Sequence, residues 1–550
     1  MLKSEKQKKK TEEEDENAES HDNESKQADD AIETAKEKNK KTDEEETVES
    51  KEENRDDARE RETEDGESPT ATTKRKRKPL LIGIVAFVIV ASALATILVL
   101  VVFNKPIKQR RQEIVEFLMS KQIIASGSQL DDPESPQAKA VEFLASEDFD
   151  NEALSDEKLV ERYTMTVWYY ATNGPKWQQQ MGFLSNEDTC EWFSNVPLFD
   201  DGPTFKKGVI CDTPEGSSDT LPVSSSDTPS VIRSLNMPSN LLQGTLLEGS
   251  IPSELQFLSN SLEQMNLGYN PGLEGDIPIA LSELTKLWTL ELQYCGITGT
   301  LPEWLGTKLP LRRLALSNNL LTGSIPTNLL QQTDLQVLAL DDNGLTGNIG
   351  DFGPLTKIQY LYMEDNLMQG QLTNALLANW TAMKEMDFSR NEISGSLPSD
   401  LFTKMTNLKV LDLHGNDITG PLPNTVGDNN RIQVLALHDN RLIGRIPVDI
   451  SNMTNLRHLD LSRNEISGNI PQQLGQLSGL FYLFLGSNSY DAQELPEELA
   501  QLTQLRELSI KKANLQGEHR FGWPPLLDWS CWSWIKIICK DQFPRNWVTP

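Results

Sequence analysis

The stretch Leu459–Leu477 reads "LDLSRNEISGNIPQQLGQL". Its apolar residues are isolated, yet they recur at fixed places. The alternation in its first three residues predicts a short strand with leucines inward and Asp460 outward. Aligned on itself, the chain repeats this pattern about every 24 residues. Strand positions begin at Ile232, Leu262, Leu287, Leu311, Leu335, Ile358, Met383, Leu408, Ile432, Leu456, Leu480 and Leu505. "LRHLDLSRNEISGNIPQQLGQLSG" (Leu456–Gly479) and "LRRLALSNNLLTGSIPTNLLQQTD" (Leu311–Asp334) fit one template, LxxLxLxxNxLxGxIPxxLxxLxx.

The template has a physical logic. One unit cannot bury its leucines alone, so units must stack. Stacked strands form a parallel sheet, and the rest of each unit supplies the crossover. The turn after the strand bends inward and buries peptide groups. An asparagine can donate to and accept from them. That column reads Asn240, Asn270, Cys295, Asn319, Asn343, Asn366, Asn391, Asn416, Asn440, Asn464, Asn488 and Ala513. We read it as an internal ladder and not as a ligand site. Cys295 is then a buried thiol. Extra residues at Gly244–Pro252 and Asn270–Gly275 predict loops on one flank.

This pattern resembles the plant-type leucine-rich repeat of plant receptor-like kinases, receptor-like proteins and polygalacturonase-inhibiting proteins. The resemblance covers about 300 residues in twelve units. It implies an α/β leucine-rich-repeat solenoid over residues 231–522, with a curved parallel sheet. "DTCEWFSNVPLFDDGPTFKKGVIC" (Asp188–Cys211) is similar to the family's N-terminal cap motif CxWxGVxC, with wider spacing. By that resemblance Cys190 pairs with Cys211. The cap spans 156–230 and includes the amphipathic helix of Asp156–Trp177, which ends at Asn173-Gly174. Ser135–Asp148 is a shorter helical stretch within a stalk, 104–155. Cys531 and Cys539, among tryptophans, are placed to staple a C-terminal cap at 523–550. A metal site is disfavoured, because the cysteines lack CxxC spacing and nearby histidines.

The remaining sequence concerns location. Residues 1–73 hold 14 Lys and Arg against 27 Asp and Glu, with no aromatic residue. Such a tail cannot bury enough apolar surface to fold, and its charge disfavours nucleic acid. "KRKRK" (Lys74–Lys78) completes this cytoplasmic segment, 1–79, as a membrane flank or a localisation signal. Residues 80–103 carry no charge and are long enough to cross a bilayer as a signal-anchor helix. Basic residues flank both ends, so the positive-inside rule is nearly neutral. Cap cysteines and the sequons at Asn379 and Asn452 favour an extracellular repeat domain, at the plasma membrane, with a cytoplasmic N-terminus.

Function is expected on the outward strand positions, a strip about 55 Å long at about 4.8 Å per strand. Its early units show Tyr269, Trp288, Tyr294, Tyr360 and Tyr362. Its middle shows Asp341, Asp342, Glu364, Asp365 and Asp387. Later come Arg390, Asp412, His414, His438, His458, Asp460, Ser462 and Arg463. No kinase motif is present and no nucleophile column accompanies the histidines, so catalysis and cofactors are not expected. Receptor-like recognition of an extracellular peptide, glycan or protein, with a co-receptor, leads the alternatives. A structural role on wall or matrix polymer, or inhibition of a secreted enzyme, follows.

Overall fold

The structure, a computed structural model, describes residues 107–146, 154–177, 181–185, 188–197, 204–211, 231–238, 248–516 and 536–538. The tail, the expected span at 80–103, Asn240, Cys531 and Cys539 lie outside these residues. Among the described residues no helix is long and apolar enough to cross a membrane.

Twelve three-residue strands, from Ser234–Asn236 to Glu507–Ser509, lie parallel in one sheet. The register pairs the central apolar residues directly. Leu338 sits opposite Leu314 and Leu361, and Leu459 opposite Leu435 and Leu483. These side chains are fully buried, so each leucine is covered by the units on either side. Lys536–Ile538 adds one more parallel strand beside Glu507–Ser509.

The asparagines form the ladder. Asn464 Nδ2 donates to Leu437 O of the preceding unit at 2.9 Å, and to Leu461 O and Ser462 O of its own unit at 3.3 and 3.2 Å. Its Oδ1 accepts from Leu442 N at 2.9 Å. Asn319, Asn416 and Asn440 repeat the same four bonds. At Cys295 a weak thiol bond to Leu267 O, 3.4 Å, stands in.

Two features depart from the sequence expectation. The crossovers are not plain connections. Thr322–Ser324 through Arg441–Ile443 form a second, six-stranded parallel sheet on the flank. The template glycine bends these strands, with φ of 80° at Gly323 and 78° at Gly444, where an L side chain is strained. Residues 107–146 are also more than a stalk. Helix α1 (Ile107–Ser120) packs on α2 (Pro136–Ser146), and α2 packs on α3 (Asp156–Ala171). Ile114, Leu118, Val141 and Leu144 share one core with Tyr163 and Val167. A stripe of apolar residues on each helix requires a partner; α2 supplies it for α1, and α3 for α2.

The opposite face of α3 meets the repeats. Met165, Trp168 and Tyr169 join Ile232, Leu255 and Leu258 in the main core. The Ser155 hydroxyl caps α3 by accepting from Lys158 N. The hairpin Phe193–Pro197 with Thr204–Ile210 then lies antiparallel on Ser234–Asn236 and occupies the edge that the first repeat would expose. A disulfide joins Cys190 to Cys211 beside it.

The ladder bonds make a direct prediction. Asn464→Ala orphans the buried Leu442 N–H, so stability should fall by about 1–3 kcal/mol. Urea unfolding of the variant checks this. A loss within about 0.5 kcal/mol, as for an ordinary surface change, would refute the ladder role.

Candidate functional site

Each repeat strand from Gln264–Asn266 to Glu507–Ser509 turns sharply just before the ladder position. The residue there takes left-handed φ in unit after unit. Values run from 49° at Arg390 to 64° at Gly415, through Tyr269, Tyr294, Asn318, Asp342, Asp365, Asp439, Arg463, Ser487 and Lys512. Asn, Asp and Gly tolerate this conformation; for Tyr and Arg it costs about 1–3 kcal/mol. Tyr269, Tyr294 and Arg463 therefore do not sit on strands, as the sequence pattern implied. They sit on strained turns that thrust them outward. Tyr269 and Tyr294 stack at 4.7 Å with their rings 11° from parallel, 37% and 46% exposed. The signal was present in the sequence: Asn, Asp or Gly fills this column at Asn318, Asp342, Asp365, Gly415 and Asp439.

Tyr360 and Tyr362 do lie on a strand, either side of buried Leu361. Both are half-buried. Tyr362 Oη donates to Glu385 Oε2 at 2.6 Å, and Lys384 Nζ lies 5.3 Å from the Tyr360 ring centre. Burial first, then the Glu385 bond, raises the Tyr362 phenol pKa. The register sets Tyr360 and Tyr362 against Val337 and Ala339 on one side and against Glu385 and Asp387 on the other. A tyrosine ridge thus stands between a low apolar floor and an acidic strand. Trp288 belongs elsewhere. It precedes its strand, on the opposite edge of the sheet from Tyr294.

The charged candidates form one network. Arg390 forks onto Asp365, with Nε to Oδ1 at 2.7 Å and Nη2 to Oδ2 at 2.6 Å, and also pairs with Glu364. Its Nη1 lies 3.2 Å from His414 Nε2. An arginine can only donate, so Nε2 accepts and Nδ1 carries the proton given to Asp412 Oδ1 at 2.7 Å. His414 stacks on His438 at 4.2 Å, 8° from parallel. His438 Nδ1 is 3.3 Å from Asp460 Oδ2 but lacks hydrogen-bond geometry. His458 lies against Tyr482 and Phe484.

Three aspartates close their own turns. Asp387 Oδ1 accepts from Ser389 N and Oγ, and Asp460 Oδ1 from Ser462 N and Oγ; Asp412 Oδ1 accepts from His414 N. Asp460 is 7% exposed. Burial raises the Asp387 carboxyl to about 6. These residues shape the loops that carry Ser389, His414 and Ser462 and offer little free surface of their own. Burial pushes the Cys295 thiol up to about 11, away from nucleophile chemistry. Among the described residues, the ligand-like group Glu161, Asp188 and Cys190 includes a sulfur already bonded to Cys211. The sequon residues Asn379 and Asn452 end short outer helical turns and are exposed.

Residues 368–521 match the family model described as leucine-rich repeat region, and 286–307 the one described as leucine-rich repeat. No curated protein matches the chain. Among solved structures, it is similar to the plant peptide hormone receptor RGFR1 in complex with RGF2. Identity is 28%, over 50% of each chain, with a TM-score of 0.44. It is also similar to the Arabidopsis receptor kinase HAESA in complex with the peptide hormone IDA and the co-receptor SERK1. There identity is 27%, over 52% of this chain and 50% of that one, with a TM-score of 0.45. A plant ice-binding protein matches at 24% identity over 56% of this chain and 88% of that one, with a TM-score of 0.45. The chain spans about half the length of the two receptor structures.

The histidines carry a pH prediction. The Asp412 bond raises the His414 pKa above 6.5, so its stabilisation is complete below 6.5 and is lost as pH rises through the raised value. Burial lowers His438 and His458 below 6.5, so their contribution holds above 6.5 and is lost as pH falls through the lowered values. NMR titration should place the His414 midpoint above 6.5 and the His438 and His458 midpoints below it. His438→Gln should reduce the acid-side loss of thermal stability. A His438 midpoint above 6.5 would overturn the burial argument.

Proposed function

We propose that this leucine-rich repeat protein is a membrane-tethered recognition protein. The open face of its main sheet binds an extended extracellular peptide, glycan or protein, without catalysis, and a partner protein transmits the event. The carrying observation is the Tyr360–Tyr362 ridge, with the low Val337 and Ala339 on one side and Glu385 and Asp387 on the other. A rigid aromatic projection between a shallow apolar recess and a charged one suits an extended chain that places successive side groups in each. The strained Tyr269–Tyr294 stack supports the same reading, because strain held at the surface favours a contact role. Fixed charges on Arg390, Asp365 and Glu364 supply complementarity along the strip.

The location proposed is N-terminus in the cytosol, residues 80–103 in the plasma membrane, and repeats outside. The Cys190–Cys211 disulfide supports an oxidising compartment. The exposed positions of Asn379 and Asn452 are compatible with glycosylation.

Two experiments test these proposals. Tyr360→Ala with Tyr362→Ala should weaken capture of a defined ligand more than tenfold while leaving the thermal melt within a few degrees. Equal capture by the variant would sink the open-face reading. Protease added to intact cells should remove the repeats and spare the acidic tail; loss of the tail with intact repeats would invert the topology.

A further inference from the structure

Trp288 is not absorbed by the ridge or the charged network. It lines a cavity of about 380 Å³ at the edge where the strands begin, with Lys286, Arg312, Gln331, Thr333 and Asp334. That volume lies in the range of small-ligand sites, about 300–1,000 Å³. Two further observations point to what fills it. The Arg312 guanidinium lies 5.9 Å from the Trp288 ring centre and has no carboxylate partner among the described residues. The single lining carboxylate, Asp334, is held by Lys357 at 2.5 Å. The cavity is therefore cationic at its own surface, in a chain of net charge −30.

We propose that this cavity binds an acidic sugar: a pyranose ring bearing a carboxylate. The indole offers an apolar surface for ring C–H groups. Arg312 presents a planar fork that matches a carboxylate, and Lys286 adds a second positive charge. Gln331 and Thr333 line the same cavity and add an amide and a hydroxyl to its wall. A bare anion leaves the indole surface and these polar groups unused, and a neutral sugar leaves Arg312 unpaired. The site lies on the opposite edge of the sheet from Tyr294 and is independent of the open-face reading.

The full-length chain is titrated with methyl glucuronoside, methyl glucoside and inorganic sulfate, followed by saturation-transfer NMR and calorimetry. The glucuronoside should bind at least tenfold more tightly than the glucoside, and its affinity should fall as salt rises. Arg312→Gln and Trp288→Leu should each weaken it about tenfold. Lys286 and Arg312 are exposed, so Arg312→Gln combined with Lys286→Gln keeps the test valid should Trp288→Leu misfold. Tyr360→Ala with Tyr362→Ala should leave glucuronoside binding unchanged, which separates this site from the ridge. Equal binding of the two glycosides would overturn the proposal. So would wild-type affinity in the Arg312→Gln, Lys286→Gln double variant, or sulfate binding as tightly as the glucuronoside.

Discussion

The hydrogen bonds of the asparagine ladder are the constraint on which this structure depends. A parallel strand that turns back into the core after three residues buries peptide groups with no strand neighbour to satisfy them. The carboxamide is short, and it both donates and accepts. Asn464 reaches backward into the preceding unit and upward into its own turn at once. Each rung therefore fixes both the shape of its turn and its distance from the next unit. Leucine burial drives stacking, but burial alone is indifferent to small slips. The ladder supplies the directional part.

Fixing the turn fixes what the surface can display. The residue before each ladder position from Asn270 onward is forced left-handed, whatever its type. Where the sequence places Asp or Asn there, the turn is relaxed. Where it places Tyr269, Tyr294, Arg390 or Arg463, a bulky side chain is projected at a cost the core must offset. Arg390 then reaches two carboxylates and His414 from one backbone position. The charged network is thus a consequence of turn geometry more than of strand geometry.

This accounts for what sequence reasoning reaches and what it misses. Apolar side chains at a constant period specify the parallel sheet, the leucine register and the ladder, because each depends on spacing along the chain. The flank sheet was illegible because "LTGS" reads equally as crossover; only the neighbour's matching segment turns it into paired strands. The role of residues 107–146 was illegible because a single amphipathic stripe does not name its partner, and α3 is itself apolar on two sides. Asp387 and Asp460 looked like free ligand groups. They accept from residues two positions on, bonds set by the turn's shape and not by the strand's period.

The sheet also has polarity across its strands. The residues that immediately precede the strands include Arg312, Lys384, Lys409, Arg457 and Arg506, with Glu263 as the one acid. Several of these bases lie against rings: Arg312 on Trp288, Lys384 on Tyr360, and Arg457 and Arg506 about Phe481 at 5.3 and 4.6 Å. The far edge carries Asp341, Asp342, Glu364, Asp365 and Asp439 together with Arg390, Arg463, Lys511 and Lys512, so it is mixed in charge. All strands run the same way, so residues at one template position accumulate along one edge. A parallel repeat can therefore hold a basic rail and a mixed-charge rail side by side, a few residues apart in each unit. The tyrosine ridge lies between the rails, and the Trp288 cavity lies on the basic one. A change on one rail leaves the other untouched, because each template column contacts chiefly its own neighbours along the stack.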